Sequence, residues 1–190
     1  MFKSLGILVS LLLSTTIAAP SLTSSARRSC STAFPWTIDT LSAATPDTPS
    51  IGHEFTLARS GNPLNNTVIS AITFFIPDNA YGCNLNIQIP ILAANQIASG
   101  ASSASFWSTA PWDNYNNLPT WNNPPAITTN VGSFNFPTVA VTSPYTTTIS
   151  SSFCANTLSY LVELSSWQGA AGSVDFNAQN GLGFTVIYNC

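Results

Sequence analysis

Charge is what this chain has least of. Only 6% of its 190 residues are Asp, Glu, Lys or Arg, against about 25% in an ordinary soluble domain. The cations are Lys3, Arg27, Arg28 and Arg59, set against seven carboxylates. A chain so poor in Lys and Arg cannot neutralise phosphates, which excludes nucleic acid as a partner. The same shortage excludes charge-driven attachment to an anionic membrane surface. Histidine is nearly absent as well. With His53 alone, a two-histidine metal site lacks ligands, and any Ser-His-Asp relay would have to be built on that residue. No Gly-x-Ser-x-Gly string occurs. Helical 3.6-residue periodicity over ten or more positions is also missing. No catalytic residue, metal or cofactor is expected from these absences, and His53 is expected in a loop before a first strand.

The one long apolar run lies at the start. Met1, Phe2 and Lys3 carry a single positive charge, and residues 5–13 (LGILVSLLL) follow. That run is about half the ~20 residues a membrane span requires, and it fits a signal-peptide core. Thr16-Ile17-Ala18 places small residues at −3 and −1, so residues 1–18 read as a signal peptide cut after Ala18. Residues 19–29 read as a flexible arm in which Arg27-Arg28 is either a processing site leaving Ser29 first or a solvated basic spot. Signal removal leaves three cations against seven carboxylates, and cleavage after Arg28 leaves Arg59 alone against seven. Neither new N-terminus is histidine, so a copper brace has no ligands. A C-terminal lipid-anchor signal is not recognisable. The expected product is a secreted, extracellular or wall-associated monomer with no membrane attachment.

Cys30, Cys83, Cys154 and Cys190 are four in number with no C-x-x-C spacing, the pattern of two disulfides in an exported chain. Three pairings are formally possible; Cys83–Cys154 inside the domain and Cys30–Cys190 across its ends are the expected ones. Asn65-Asn66-Thr67 is a glycosylation sequon between turn residues and a strand, which makes Asn65 an expected glycan acceptor.

Residues 30–190 have the length of one domain with a proper core. Their β-branched and aromatic runs are punctuated by Gly, Pro and Asn. Residues 67–76 (TVISAITFFI) form the strongest strand candidate, ended by Pro77-Asp78-Asn79. In residues 83–89, Cys83, Leu85, Ile87 and Ile89 alternate with Asn84, Asn86 and Gln88, as in a strand with one buried face. Further strands are expected at 105–108, 131–136, 145–150, 160–164, 173–177 and 184–188. Short strands at turn-limited spacing indicate an all-β fold, an antiparallel β-sandwich of jelly-roll or immunoglobulin-like type.

Several strings resemble one family of fungal secreted proteins, the But-two C-terminal domain family. Phe74-Phe75-Ile76-Pro77, then Gly82-Cys83-x-Leu85 and Pro90, are similar to its F-x-I-P…G-x-C-x-L…P block, with Gly and Cys adjacent here. Trp121-Asn122-Asn123-x-Pro125 and Val131-Gly132-Ser133-Phe134 continue the likeness, as do Tyr160-Leu161-Val162-Glu163-Leu164 and Gly181-Leu182-Gly183-Phe184-Thr185-Val186. The resemblance spans residues 67–190. It implies a β-rich extracellular domain of unassigned activity and supplies no catalytic residues. The family's name derives from a yeast protein said to bind an activating enzyme of a ubiquitin-like modifier. That machinery is cytosolic and nuclear, so a chain with a secretion signal does not inherit the role.

Function is expected in the aromatic segment of residues 106–121. Trp107, Trp112, Asp113, Tyr115 and Trp121 gather there, with Asn122 just beyond. Residues 109–120 lack strand alternation and read as a long loop, and long ordered loops are often functional. Exposed rings offer flat apolar faces to sugar C–H groups, while Asn and Asp bond hydroxyls, so a neutral cell-wall glycan is the expected ligand. The competing reading is a structural plug, in which the tryptophans fill one end of the sandwich. A structural or host-protein-contacting domain is the alternative function. A glycoside hydrolase, the least favoured reading, would need two carboxylates flanking a bond, Asp113 with Glu54 or Asp175. Asp78 reads as a turn residue, and Glu163 as a strand residue facing solvent.

Overall fold

The computed structural model describes residues 29–52, 54–60, 67–112, 118–178 and 181–190. The expected signal peptide, the arm as far as Arg28, His53, Asn65, Asp113 and Tyr115 lie outside the described residues. The described strands are β1 Ser31–Ala33, β2 Thr37–Ser42, β3 Ile51–Gly52, β4 Glu54–Arg59, β5 Val68–Phe75, β6 Cys83–Ile89, β7 Ala98–Gly100, β8 Ser103–Thr109, β9 Ile127–Asn135, β10 Tyr145–Ser152, β11 Thr157–Leu164, β12 Gly172–Asn177 and β13 Gly183–Tyr188. Ser166–Gln168 form one turn of 3-10 helix. None of the described helices is long and apolar enough to cross a membrane.

The strands make two antiparallel sheets packed face to face, a disulfide-stabilised β-sandwich. The smaller runs β1-β13-β6-β10; the larger runs β7-β12-β4-β5-β11-β8-β9, with β2 also paired to β5 and β3 to β2. Alternation explains which side chains meet between them. β6 turns Cys83, Leu85, Ile87 and Ile89 inward, and β13 adds Phe184 and Val186. Opposite them lie Phe55 and Leu57 of β4, Ile72 and Phe74 of β5, Phe106 of β8 and Val162 of β11, all buried. Fully burying one such side chain is worth about 1.5–3 kcal/mol.

Turns and close approaches fix the register. After β5 the Ala80 N–H donates to Pro77 O, and Asn79 adopts the left-handed conformation (φ 63°) that Asn tolerates better than most residues. Asp78, expected as a turn residue, accepts a bond from the Asn156 side chain. At Gly132 of β9 a Cβ would lie 2.4 Å from Ile149 O of β10, so only glycine lets the edges of the two sheets approach there. β8 extends through Thr109, so the long connection begins one residue later than expected.

Both expected disulfides are present. Cys83–Cys154 joins the start of β6 to the segment before β11, and Cys30–Cys190 joins the two ends of the described chain. Each closes a long loop, which restricts the unfolded chain and stabilises by about 2–4 kcal/mol. Two such bridges belong to an oxidising environment.

Candidate functional site

The outer face of the larger sheet, turned away from the core, carries rows of polar and aromatic side chains. Pairing sets side chains from strands distant in sequence into rows. Thr37 of β2 faces Thr73 of β5, which faces Ser159 of β11. One step along the strands, Asp39 faces Ala71, Ala71 faces Leu161, and Leu161 faces Trp107 of β8. Leu41 and Ile69 follow. Leu41, Ile69, Ala71 and Leu161 form a second apolar cluster, and Trp107, Trp112 and Trp121 pack on it.

The tryptophans are therefore both cover and surface. All three are half-buried, unlike the fully buried rings between the sheets. Trp107 Nε1 donates to Glu163 Oε1 at 3.0 Å, and Trp112 Nε1 donates to Asp39 Oδ2 at 3.3 Å. Glu163 thus lies on the outer face but does not point freely into solvent; its half-buried carboxylate receives the indole N–H. Trp121 sits in a turn closed by the Asn123 N–H on Thr120 O and the Thr120 N–H on Asn123 O. Asn122 anchors that turn, with its backbone N–H on Pro46 O and its side-chain amide on Asp47 Oδ1 at 2.8 Å. Asn122, expected to meet a sugar hydroxyl, gives one amide N–H to Asp47 while its side chain stays exposed. Pro111, Trp112, Pro119, Asn123 and Pro124 border an open cleft of about 310 Å³.

Asp39 is the group the sequence reading does not single out. It is 0% exposed, with Thr37 Oγ1 3.4 Å from Oδ2 and no hydrogen-bond partner on Oδ1. Burial pushes its pKa from 3.8 up to about 6, and the bonds from Trp112 and Thr37 oppose the rise. The signal available in sequence was a lone carboxylate inside the β-branched run Thr37-Ile38-Asp39-Thr40, where strands seldom hold Asp.

The same face ends in bare aromatic surface. Trp36 and Phe75 pack at a tilt with ring centroids 5.3 Å apart, and each stays 50% exposed. No protein-family model and no curated protein matches this chain. The other expected acids sit apart from this patch: Glu54 and Asp175 occupy adjoining β4 and β12, both exposed, and Thr56 Oγ1 donates to Asp175 Oδ2.

Proposed function

We propose that the protein is a secreted, extracellular, non-catalytic domain that binds a neutral polysaccharide of the cell wall along the outer face of its larger sheet. The observation that carries this reading is the aromatic band on one face of the larger sheet. Trp36 and Phe75 are exposed at one end, and Trp112 and Trp121 are half-exposed beyond them. Trp36 and Asp39, the partner of Trp112, are three strand positions apart, about 10 Å at 3.3 Å per residue. Aromatic side chains spread along one face suit an extended chain of sugar units more than one small ligand. A nearly uncharged surface favours an uncharged polymer, and the disulfides agree with an extracellular setting. Signal removal after Ala18, glycosylation at Asn65 and membership of the But-two family belong to the same reading.

Affinity columns of insoluble β-1,3-glucan, chitin and cellulose test it. The wild-type chain should be retained on at least one, and Trp36→Ala or Phe75→Ala should abolish retention with an unchanged melting temperature. Trp167→Ala, 73% exposed on the 3-10 turn, should be retained like wild type. Passage of the wild type through all three columns would sink the reading. The alternative, an extracellular protein partner, draws on the 70% exposed Phe34, two residues before Trp36 in the chain.

A further inference from the structure

We infer that an open cleft walled by Gln88, Pro90 and Tyr145, at the end of the sandwich remote from both disulfides, is a second neutral-glycan site, so that one molecule holds two chains at once. The inference rests on the glycan reading and adds valency to it.

Strand register places the cleft. β10 pairs Ser152 with Cys83 at the start of β6 and Tyr145 with Ile89 at its finish. β6 spans 7 residues, so six steps of 3.3 Å separate those two ends by about 20 Å. β13 runs from Gly183 opposite Gln88 to Ile187 opposite Asn84, which carries Cys190 to the Cys83 end. β11 begins soon after Cys154 and pairs Thr157 with Phe75. The Trp36–Phe75 pair therefore belongs to the disulfide end, and the cleft to the other.

Gln88, Pro90, Pro144, Tyr145 and Thr146 line a cleft of about 520 Å³. Pro90 is shared with a neighbouring cleft of about 430 Å³ that Gln96, Asp175 and Asn177 also border. Each lies within the range of about 300–1,000 Å³ common to small-molecule sites. The rims are held in place. Leu92 and Val141 exchange backbone bonds of 3.0 and 2.9 Å, and the Asn95 N–H donates to Thr138 O. Pro90 and Pro144 fix the backbone where β6 ends and β10 begins. A trough held this way gives up little freedom when a ligand enters.

The side chains select the class of ligand. Gln88, Asn177 and the Tyr145 hydroxyl have no hydrogen-bond partner among the described residues. Gln88 lies between Thr146 and Gly183, and Gly183 has no side chain to cover it. A carboxamide both donates and accepts, which suits neighbouring hydroxyls of a sugar. The Tyr145 ring is 39% exposed and offers an apolar face; burial holds its phenol above the ordinary pKa, so it stays a neutral donor. Among the described residues no Lys, Arg or His lines either cleft, which leaves an anion without a counter-charge. Asp175 is the single carboxylate there, too few for a hard cation. An apolar molecule would strip water from the amides without replacing it. With the aromatic band at one end and this trough at the other, both contacts can be filled together and the domain links chains.

Equilibrium dialysis against fluorescent laminarihexaose, cellohexaose and chitohexaose tests the second site. Trp36→Ala, which should leave the columns, should still bind at least one hexaose. Adding Gln88→Ala or Tyr145→Ala to it should weaken that binding about tenfold or more. Gln88→Ala alone should stay on the column and melt like the wild type, because its amide has no partner to lose. Wild-type protein already seated on an insoluble polysaccharide should capture the same hexaose above the level of the bare polymer. Column retention of the wild type with no hexaose bound by Trp36→Ala would overturn the cleft and leave the aromatic band standing. Hexaose binding that neither Gln88→Ala nor Tyr145→Ala weakens would also overturn it. Should Tyr145→Ala fail to fold, the exposed Gln88→Ala and Asn177→Ala carry the same criterion. A wild type that passes every column while Trp36→Ala shows Gln88-dependent binding removes the band and keeps the cleft; binding to neither removes both.

Discussion

Between the sheets, the Phe184 ring lies 4.9, 5.7 and 6.0 Å from the rings of Phe55, Phe106 and Phe176. On the outer face of the larger sheet, by contrast, Leu41, Ile69, Ala71 and Leu161 are covered by tryptophans that are themselves half in solvent. The first cluster is assembled from inward positions of many strands, and its centre is wholly apolar. The second is a thin apolar layer with a carboxyl group at its edge. A domain of this size obtains its stability from the first kind of packing, where every ring has neighbours on all sides. The outer layer contributes less, and so it can hold the buried, unpartnered oxygens of Asp39, Thr73 and Ser159 without unfolding the domain.

Truncation should separate the two regions most sharply. Phe184→Ala removes the ring shared by three others and should cost about 3–5 kcal/mol. Leu161→Ala should cost about 2 kcal/mol, near the low end for such changes, because the tryptophans above it are free to settle. Urea denaturation of each variant measures the gap, and equal losses would erase the distinction between the clusters.

Acid should distinguish them next. The Asp39 pKa is raised from 3.8 to about 6 by burial, so the folded protein holds this proton more tightly than the unfolded chain. Its favourable contribution is complete below pH ~4 and is lost as pH rises through about 6. The difference amounts to at most about 3 kcal/mol, at about 1.4 kcal/mol per tenfold change in proton affinity. The melting temperature should therefore rise on acidification from pH 6 to pH 4. Asp39→Asn, neutral throughout, should be flat across that window; a slope equal to the wild type's would assign the effect to other groups.

The smallest expected effect concerns the indole itself. Trp112→Phe keeps most of the apolar cover but removes the N–H that Asp39 accepts, a loss of about 1 kcal/mol. Since that bond lowers the Asp39 pKa, its removal should move the carboxyl titration further up. A carbon-detected NMR titration of Asp39 reads the shift, and an unchanged midpoint would mean that the indole and carboxyl are not coupled.

Legibility in the sequence followed solvent. β6 is recovered from end to end because Asn84, Asn86 and Gln88 occupy its outer face while Leu85 and Ile87 turn inward. β12 and β13 are recovered to within one residue. β2 is buried on both faces over Thr37–Asp39, and Leu41 is buried too, so its residues show no contrast between wet and dry sides. β1, β3 and β7 are two or three residues long, too short for any period. β4 is different: Phe55 and Leu57 do alternate with Glu54 and Thr56, and that pattern was available though not among the expected strands. At the site, Trp107, Trp112 and Trp121 were legible as a group because aromatic residues cluster in the sequence. Their carboxyl partners, Glu163 and Asp39, lie 56 and 73 residues away, and nothing local connects them.

The all-β class, the main strands and the number of disulfides were written in the sequence, because alternation and turn residues need only near neighbours and an even cysteine count needs no geometry at all. The burial of Asp39, the row that joins Thr73 to Ser159, and the double role of the tryptophans were decided by the tertiary structure. Those features exist only once β2, β5, β11 and β8 lie side by side, since pairing brings distant polar groups onto one face and the tryptophans pack over the apolar layer beside them.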